Sequence, residues 1–470
     1  MARTRTAPQS LLQPQPWSKS HADSFNPKQI STGFLAEIMQ WHPWEGVMPV
    51  PAFCRLVSRN TYHIVVLLST SLLAGCAVTN RDGAIVLKVA QASNENEQKN
   101  FLGRFESERR INNEYIQDLS EKQPDIRLHP SIIPAEKLEQ ELRVQTNSGL
   151  GPDLVIANSN QALSLLADGL TDPLKMTSEL QKTISEEALK RVKTSDGSLA
   201  GQPVSQYIQL ACFDKRKLAQ APKTLAELSA ASGRDKVFGM VLNMDDLYWS
   251  VGSFGAGEAL AHSLADKKTT TEADKRLTNW LRWLKTASYQ QNIVFLRTQA
   301  ALRAALISGD MSWISCWSNQ LPQLRQALKE HLGVARLPNG TFGRATPITR
   351  LQVWALGKNS SKVQREGSLK LMEFVVQPWA QKTYALKFRI AYPVNPAAAQ
   401  IVNKQLPGGL AEFSEAEYLR ITRGDSIVAA IQKSPILKNA IESTLSDIIF
   451  DGLSPEKATA QIKTQFKMKQ

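Results

Sequence analysis

The sequence has few cysteines and histidines, and no apolar run long enough to cross a membrane. A membrane-spanning helix needs roughly 20 consecutive apolar residues. The apolar stretch within residues 61–76 is shorter and is interrupted by serine and threonine. The 4 cysteines and 6 histidines are dispersed and form neither a CxxC pair nor an HExxH motif. No metal site and no cofactor is therefore predicted.

Sequence signatures of enzymes and of nucleic-acid binding are missing as well. There is no GxSxG motif, the turn that presents the nucleophilic serine of many hydrolases. The formal net charge is +13, yet basic residues are interspersed with acids, as in Glu186–Lys193, instead of forming a long basic run. This pattern is typical of a solvated surface rather than of a nucleic-acid interface. We expect no enzyme, no catalytic residue and no nucleic-acid partner.

An export signal is present before residue 77. Arg55 and Arg59 precede the apolar core Ile64–Leu68, and Leu73–Cys76 reads Leu-Ala-Gly-Cys. A basic region, a short apolar core and small residues before a cleavage point form a secretory signal, and the last four residues resemble a bacterial lipobox. A buried strand or short helix is the alternative, which the ordered combination disfavours. We expect export to the periplasmic side, with lipidated Cys76 as the only membrane anchor.

The signal divides the chain into a leader and a mature part. Residues 1–47 lack sustained periodicity and are predicted to be a disordered leader, or to lie upstream of the true start codon at Met48. Residues 48–75 are the predicted signal peptide and residues 76–83 a polar tether. The remaining chain is longer than one hydrophobic core usually serves, so two lobes are expected.

Strands and helices alternate in the mature part. Ala84–Ala90 and Leu154–Ile156 are apolar runs of strand length, and Phe101–Gln123 carries apolar residues at helical spacing. Alternation of this kind predicts an α/β fold whose parallel sheet is flanked by helices. Ligands of such sheets lie beyond the carboxyl ends of the strands. These ends are the loops Ser93–Glu95, with Asn94 and Glu95, and Ala157–Asn160.

Several segments resemble the extracellular solute-binding proteins of bacterial ABC importers, in the branch that contains maltose-binding protein. They follow one another along nearly the whole mature chain: Gly151–Ile156 with Leu166–Leu170, Phe213–Lys215 with Pro222–Leu228, Ala355–Ser360 with Leu371–Val375, and Gly452–Ala458. The resemblance implies a type II periplasmic-binding-protein fold, in which each of two lobes is a sheet flanked by helices and the ligand lies in the cleft between them.

The resemblance also implies lobe boundaries. Residues 84–206 and 337–380 would form the first lobe, and residues 207–336 and 381–470 the second. The chain would cross between them near Tyr207–Cys212, near Leu337–Pro338 and near Trp379–Ala385.

The implied function is capture of a sugar, polyol or glycoside by hinge closure and its delivery to the permease subunits of an ABC importer. We expect a monomer that binds a small, carbohydrate-like solute. An exported scaffold that binds no ligand, and a binder of an anionic solute on the same fold, remain as alternatives.

Candidate ligand-binding residues follow from the same resemblance. Met311–Trp317 is similar to a segment of the family whose last residue stacks on the ligand, which assigns that role to Trp317. Leu242–Tyr248 is similar to a segment that places Tyr248 as a second stacking residue and Asp246 as an acceptor for a hydroxyl group. Packing in the core is the alternative for such large aromatic residues.

Further candidates lie in the first lobe and at the crossings. Asn158 and Asn160 follow a strand where the family places polar residues that bind sugar, although an asparagine there can instead cap the next helix. Tyr207 lies at the first crossing. Arg350 stands where the family commonly has glycine, and it would either bind an anionic group bidentately or lie on a solvated surface. The maltose binder's tryptophan is replaced by Ala157, so maltose in particular is not predicted.

Two cysteines would remain in the mature chain beside Cys76. The resemblance brings Cys212, at the end of the first crossing strand, near Cys316, on a strand of the same lobe. Export permits a disulfide, but two buried free thiols are the commoner outcome, and both remain open at this point.

Overall fold

The backbone is organised around one long strand that two halves of a single sheet share. This strand, Gln202–Asp214, is 13 residues long, and most of its side chains are buried. The computed structural model describes residues 83–93, 117–119, 121–135, 137–389, 391–405 and 415–467. The export signal with Cys76, the loop residues Asn94 and Glu95, and most of the predicted helix Phe101–Gln123 lie outside the described residues.

Eleven strands form the sheet within the described part of the chain. They are Ile85–Ser93 (β1), Ile126–Pro134 (β2), Leu154–Asn158 (β3), Thr171–Asp172 (β4), Gln202–Asp214 (β5), Phe238–Val241 (β6), Ile293–Leu296 (β7), Trp313–Trp317 (β8), Leu332–Ala335 (β9), Thr349–Gly357 (β10) and Tyr392–Pro393 (β11). Their order is β2-β1-β3-β10-β5-β8-β6-β7, with β4 paired to β10, and β9 and β11 paired to β5.

Helices connect these strands. They are Leu138–Asn147 (α1), Ser159–Ala167 (α2), Ser178–Lys182 (α3), Glu186–Lys190 (α4), Leu225–Ser232 (α5), Met244–Ser253 (α6), Gly257–Leu264 (α7), Thr271–Ser288 (α8), Gln299–Ser308 (α9), Leu321–Leu328 (α10), Lys362–Val375 (α11), Pro378–Phe388 (α12), Pro396–Gln405 (α13), Glu415–Gln432 (α14), Pro435–Ile449 (α15) and Pro455–Lys467 (α16). Within the described ranges, none of them combines the length and apolar character that crossing a membrane requires.

Strand β5 joins the two halves because each of its ends pairs with different strands. Its first part pairs antiparallel with β10, which pairs with β3 of the first half. Its second part, Gln209–Asp214, pairs with β8 and β9 of the second half. The outer strands of each half are parallel, as β1 is to β2 and β6 to β7. The predicted α/β architecture is confirmed.

Each half has its own hydrophobic core. Leu87, Leu154 and Trp354 belong to a buried cluster of the first half, and Trp280 and Trp313 to one of the second. Helix α8 shows how the sequence builds this packing. Thr270 caps its first turn, and apolar residues at helical spacing then bury one face against the second half.

The C-terminal part of the chain packs on both halves. Residues 396–405 follow β11, which pairs with β5 at Ser205 and Gln206 in the first half, and Gln381 donates a hydrogen bond to the backbone oxygen of Val204. Helices α14 to α16 contribute to the core of the second half. Residues 381–405 therefore lie with the first half, whereas the family resemblance implies the second lobe from residue 381 onward.

The segment expected to form the third crossing, Trp379–Ala385, is helical. It lies within α12, which begins with Pro378 at a favourable first position, and Ala385 packs against Val402 of α13. Helix α14, the next described element, contributes to the core of the second half.

Cys212 and Cys316 form a disulfide between β5 and β8. The register places Cys316 opposite Leu210 and Cys212 opposite Ile314, so the two cysteines are diagonal neighbours on adjacent strands. Their Cα atoms are 5.8 Å apart, within the range that disulfides require. Of the two alternatives that the sequence leaves open, the structure contains the bridge.

Candidate ligand-binding site

A row of polar side chains crosses the sheet where its two halves meet. Residues directly opposite in a strand ladder, and residues two apart along a strand, share a face of the sheet. The ladder pairs Asn158 with Gln352, and then Gln352 with Ser205 and Arg350 with Tyr207. These residues form a continuous row on one face, which we call the polar row.

The polar row continues into the second half through β5. Gln209 lies two residues beyond Tyr207 and pairs with Trp317 at the end of β8. Its side chain donates to the backbone oxygen of Asp245 at 2.8 Å and accepts from the backbone N–H of Ile348 at 3.0 Å. The row therefore connects β3 of the first half with β8 of the second.

Asp246 anchors the indole of Trp317. The Trp317 Nε1–H donates to Asp246 Oδ1 at 2.6 Å, and Gln299 Nε2 donates to the same oxygen at 2.7 Å. Asn243 donates to Asp246 Oδ2 at 2.8 Å, and it also caps α6 by accepting from the Asp246 backbone N–H. Both carboxylate oxygens of this buried residue accept hydrogen bonds from protein groups. Asp246 thus supports the site, in place of the predicted contact with a ligand hydroxyl.

A closed ring of hydrogen bonds fixes Trp317 further. Gln320 Nε2 donates to Gln299 Oε1 at 3.3 Å, and Gln320 Oε1 accepts from the backbone N–H of Trp317 at 3.3 Å. Together with the two bonds to Asp246 Oδ1, these contacts close a ring that begins and ends at Trp317. Trp317 is 0% exposed, so its indole is part of the interior.

Arg350 covers a face of the Trp317 ring. Its guanidinium carbon lies 4.0 Å from the ring centroid, a distance at which a cation is attracted to the π face. Its Nη2 is 3.9 Å from an oxygen of Asp245 and 3.8 Å from one of Asp246. The Arg350 side chain is 29% exposed. The sequence predicts that a ligand stacks on the Trp317 ring. On this face of the ring, Arg350 occupies that position.

Asp245 lies between Arg350 and the C-terminal helices. Its Oδ1 accepts a hydrogen bond from Gln432 of α14. Burial raises the pKa of the Asp245 carboxyl, and the positive charge of Arg350 opposes that shift. Asp245 therefore retains a proton at higher pH than an exposed aspartate does.

Tyr248 is buried in the second half. It is 2% exposed and belongs to the core of the second half. Its ring packs so closely on Gly424 that a Cβ there would come within 2.6 Å of the ring, and burial raises the pKa of its hydroxyl. The predicted second stacking residue is instead a packing residue between α6 and α14.

The two asparagines of the first half differ in their contacts. Asn158 caps α2, since its Oδ1 accepts from the Gln161 backbone N–H at 3.0 Å and its Nδ2 donates to Gln161 Oε1 at 2.8 Å. It lies in the polar row as well, so the two interpretations of this residue are compatible. Asn160 is half-buried in the first turn of α2.

Sequence reasoning missed Gln352 and Gln299. The alternation of β10 offers a signal for Gln352, because a residue two positions from Arg350 shares its face. Gln299 is 18 or more residues from every other member of its network in the sequence, so no local pattern reveals it.

The fold and the family are established by comparison with known proteins. The profile described as bacterial extracellular solute-binding protein matches residues 114–410, more than half of the chain. Comparison with curated protein sequences gives no significant match.

Solved structures with the same fold include three sugar-binding proteins. The GacH receptor of Streptomyces glaucescens GLA.O, solved unliganded and with acarbose, superposes with a TM-score of 0.61 at 14% identity, over 81% of this chain and 98% of that one. Maltose-bound MalE3 of T. maritima gives a TM-score of 0.58 at 16% identity, over 82% and 100% of the two chains. MalX from Streptococcus pneumoniae with maltopentaose gives 0.57 at 15%, over 81% and 99%.

At these identities the structures show a shared fold, and that fold is the two-lobe arrangement of maltose-binding proteins. The family match is carried by the sequence itself. The chain belongs to the bacterial extracellular solute-binding proteins.

Proposed function

We propose that this protein captures a sugar or a related glycoside outside the cell and delivers it to the permease of an ABC importer. The observation that carries the proposal is the polar row, which runs from the first half of the sheet to the second where β5 crosses between them. Membership of an extracellular solute-binding family supports export and binding. The sugars bound by proteins of the same fold support the solute class.

The two halves would act as lobes that close on the solute. A ligand that contacts Asn158, Gln352 or Arg350 of the first half and also the second half near the end of β8 favours the closed arrangement by its differential contacts. The described residues within 85–205 and 349–405 would form one lobe, and residues 209–335 with 415–467 the other. The protein would act as a monomer and without catalysis. An exported scaffold that binds no solute is the alternative, because Arg350 already covers the Trp317 ring.

A solute screen with the purified protein tests this function. We expect one class of saccharide to raise the melting temperature, because a ligand at 100 times its Kd adds about 2.7 kcal/mol to the free energy of unfolding. The same saccharide should reduce the radius of gyration measured by small-angle scattering. A solute that stabilises without compaction would contradict hinge closure. Absence of stabilisation across mono- and oligosaccharides, polyols and acidic sugars would favour the scaffold.

We further propose that Cys76 carries the lipid anchor. Cys76→Ser should leave an unprocessed or soluble precursor, because no other segment of the proposed mature chain is expected to hold it at a membrane. Fractionation of the producing bacterium and mass spectrometry of the N-terminus provide the measurement. A native N-terminus well upstream of residue 76 would contradict the anchor.

A further inference from the structure

The hydrogen-bond donors of Arg350 are oriented but not used within the described part of the chain. Its guanidinium lies on the Trp317 ring, and the carboxylates of Asp245 and Asp246 are 3.8–3.9 Å away, beyond hydrogen-bond distance. The side chain donates no hydrogen bond to a described residue. An arginine offers five N–H groups in a planar fork, and here the aromatic ring and two charges hold that fork in place.

The amides beside Arg350 in the polar row also have donors to spare. Gln352 Oε1 accepts from Ser205 at 3.1 Å, and its Nε2 donates to the Tyr207 hydroxyl at 2.9 Å. Asn158 Oδ1 accepts from the Gln161 backbone N–H, and Asn158 Nδ2 donates to Gln161 Oε1. Each amide nitrogen carries two hydrogens and uses one of them in these bonds. Each amide thus has one hydrogen and one oxygen lone pair left, and the excess of donors in the row comes from the Arg350 guanidinium, which has no acceptor.

Two features oppose a neutral sugar at this point of the row. Stacking of a sugar ring requires an open aromatic face, and Trp317 is 0% exposed beneath Arg350. A hydroxyl group also binds a charged fork less strongly than a carboxylate does, since a carboxylate accepts two parallel charge-assisted bonds. The nearby acids do not occupy the N–H groups of the fork. Asp246 is committed to three donors of its own, and Asp245 lies beyond hydrogen-bond distance of the guanidinium.

We propose that the site selects an acidic glycoside, whose oxyanion is bound bidentately by Arg350 while Gln352 and Asn158 donate to neighbouring oxygens. Trp317 is then a positioning residue that presents the guanidinium. This inference rests on the proposed solute-binding function and specifies its ligand class. Carboxylate, sulfate and phosphate share the required chemistry, and a hexuronate is the member we expect.

Isothermal titration calorimetry of the purified protein separates these ligands. The probes are glucuronate and galacturonate with their short oligomers, sugar sulfates and sugar phosphates, each beside the neutral sugar of the same ring. We expect binding of the uronates and no binding of their neutral counterparts. Arg350→Gln should lower the affinity on the order of 100-fold, the effect of removing one partner of a desolvated hydrogen-bonded charge pair.

Two further variants distinguish recognition from folding. Arg350→Lys keeps the positive charge and loses the planar fork, so it should bind uronates with intermediate affinity. Arg282→Gln is the matched control, because Arg282 is half exposed and pairs with Glu456 at the surface. It should bind like the unmodified protein, and melting curves report whether each variant is folded.

The outcomes separate this inference from the function on which it rests. Binding of a sugar sulfate or sugar phosphate, without binding of uronates, would support an oxyanion at Arg350 and would overturn the assignment of a hexuronate as the ligand. Binding of a neutral sugar with an affinity that Arg350→Gln leaves unchanged or improves overturns the inference, while the protein remains a solute binder. Failure of both acidic and neutral probes to bind overturns the inference together with the proposed function.

Discussion

Loss of the Cys212–Cys316 disulfide is expected to lower the free energy of unfolding by roughly 4–5 kcal/mol. The bridge closes a loop of 104 residues in sequence separation, and the chain entropy that a cross-link removes from the unfolded state grows with the logarithm of loop length. Both cysteines are buried. Urea unfolding of the double variant Cys212→Ala/Cys316→Ala, followed by fluorescence, measures the loss.

Reduction of the unmodified protein provides the control for this prediction. A reductant should shift its unfolding midpoint toward that of the double variant and should leave the variant unaffected. Thiol counting under denaturing conditions adds an independent readout, since a bridged protein exposes neither Cys212 nor Cys316. Two reactive thiols in these positions, with a midpoint that a reductant does not move, would show that the bridge is absent.

The strands of the fold could be predicted because their apolar runs are short and bounded by polar residues. The predicted strand Leu154–Ile156 lies within β3, and the predicted strand Ala84–Ala90 overlaps β1. The strand Ile293–Leu296 was not predicted. It pairs with the sheet on one side, and three of its four side chains are half-buried, so it lacks the buried pattern of the central strands.

The third crossing shows where resemblance gives a different answer from local sequence. The expectation for Trp379–Ala385 comes from the family, whereas Pro378 and the good helix formers that follow it favour a helix. The structure agrees with the local signal. Which half of the sheet a segment packs on depends on tertiary contacts, such as the hydrogen bond from Gln381 to Val204. The sequence of one segment alone does not predict such contacts.

Three of the predicted site residues lie together in the structure, and their binding of a solute stays a prediction. Motif position identified Trp317, Asp246 and Arg350, and the structure brings these three together. Their roles depend on which surfaces the neighbouring side chains cover. The stacking of Arg350 on Trp317 joins residues of two strands that do not pair with each other, so it follows from packing across β5 rather than from sequence spacing.

A second large effect is expected at Arg191, which links the halves of the sheet. Arg191 follows α4 of the first half and donates to Asp425 of α14 at 3.2 Å and to the backbone oxygen of Thr349 at 2.9 Å. Asp425 also accepts from the Thr349 backbone N–H at 2.6 Å and from its hydroxyl. The Arg191 and Asp425 side chains are 14% and 8% exposed, so the ion pair is largely removed from water.

Arg191→Met is expected to cost about 3–5 kcal/mol of stability at neutral pH, because it leaves Asp425 buried without its counter-charge. The loss should depend on pH. Burial already raises the pKa of Asp425, and Arg191 opposes that shift, so the variant raises it further. Because the pKa of Asp425 is higher in the folded protein than in the unfolded chain, the contribution of this group to stability is greatest below the ordinary pKa of about 3.9. That contribution is lost as the pH rises through the pKa of the folded state.

The free energy of unfolding of three variants, measured from acidic to neutral pH, shows whether this buried ion pair stabilises the protein in solution. Arg191→Met should approach the unmodified protein toward acidic pH and fall below it toward neutrality. Arg191→Met combined with Asp425→Asn removes both charges and should recover much of the loss. Arg143→Met breaks ion pairs at a half-exposed arginine and should cost about 0–1 kcal/mol. An Arg191 variant as mild as the Arg143 variant, with the same pH profile, would show that water reaches the pair and that it does not hold the two halves together.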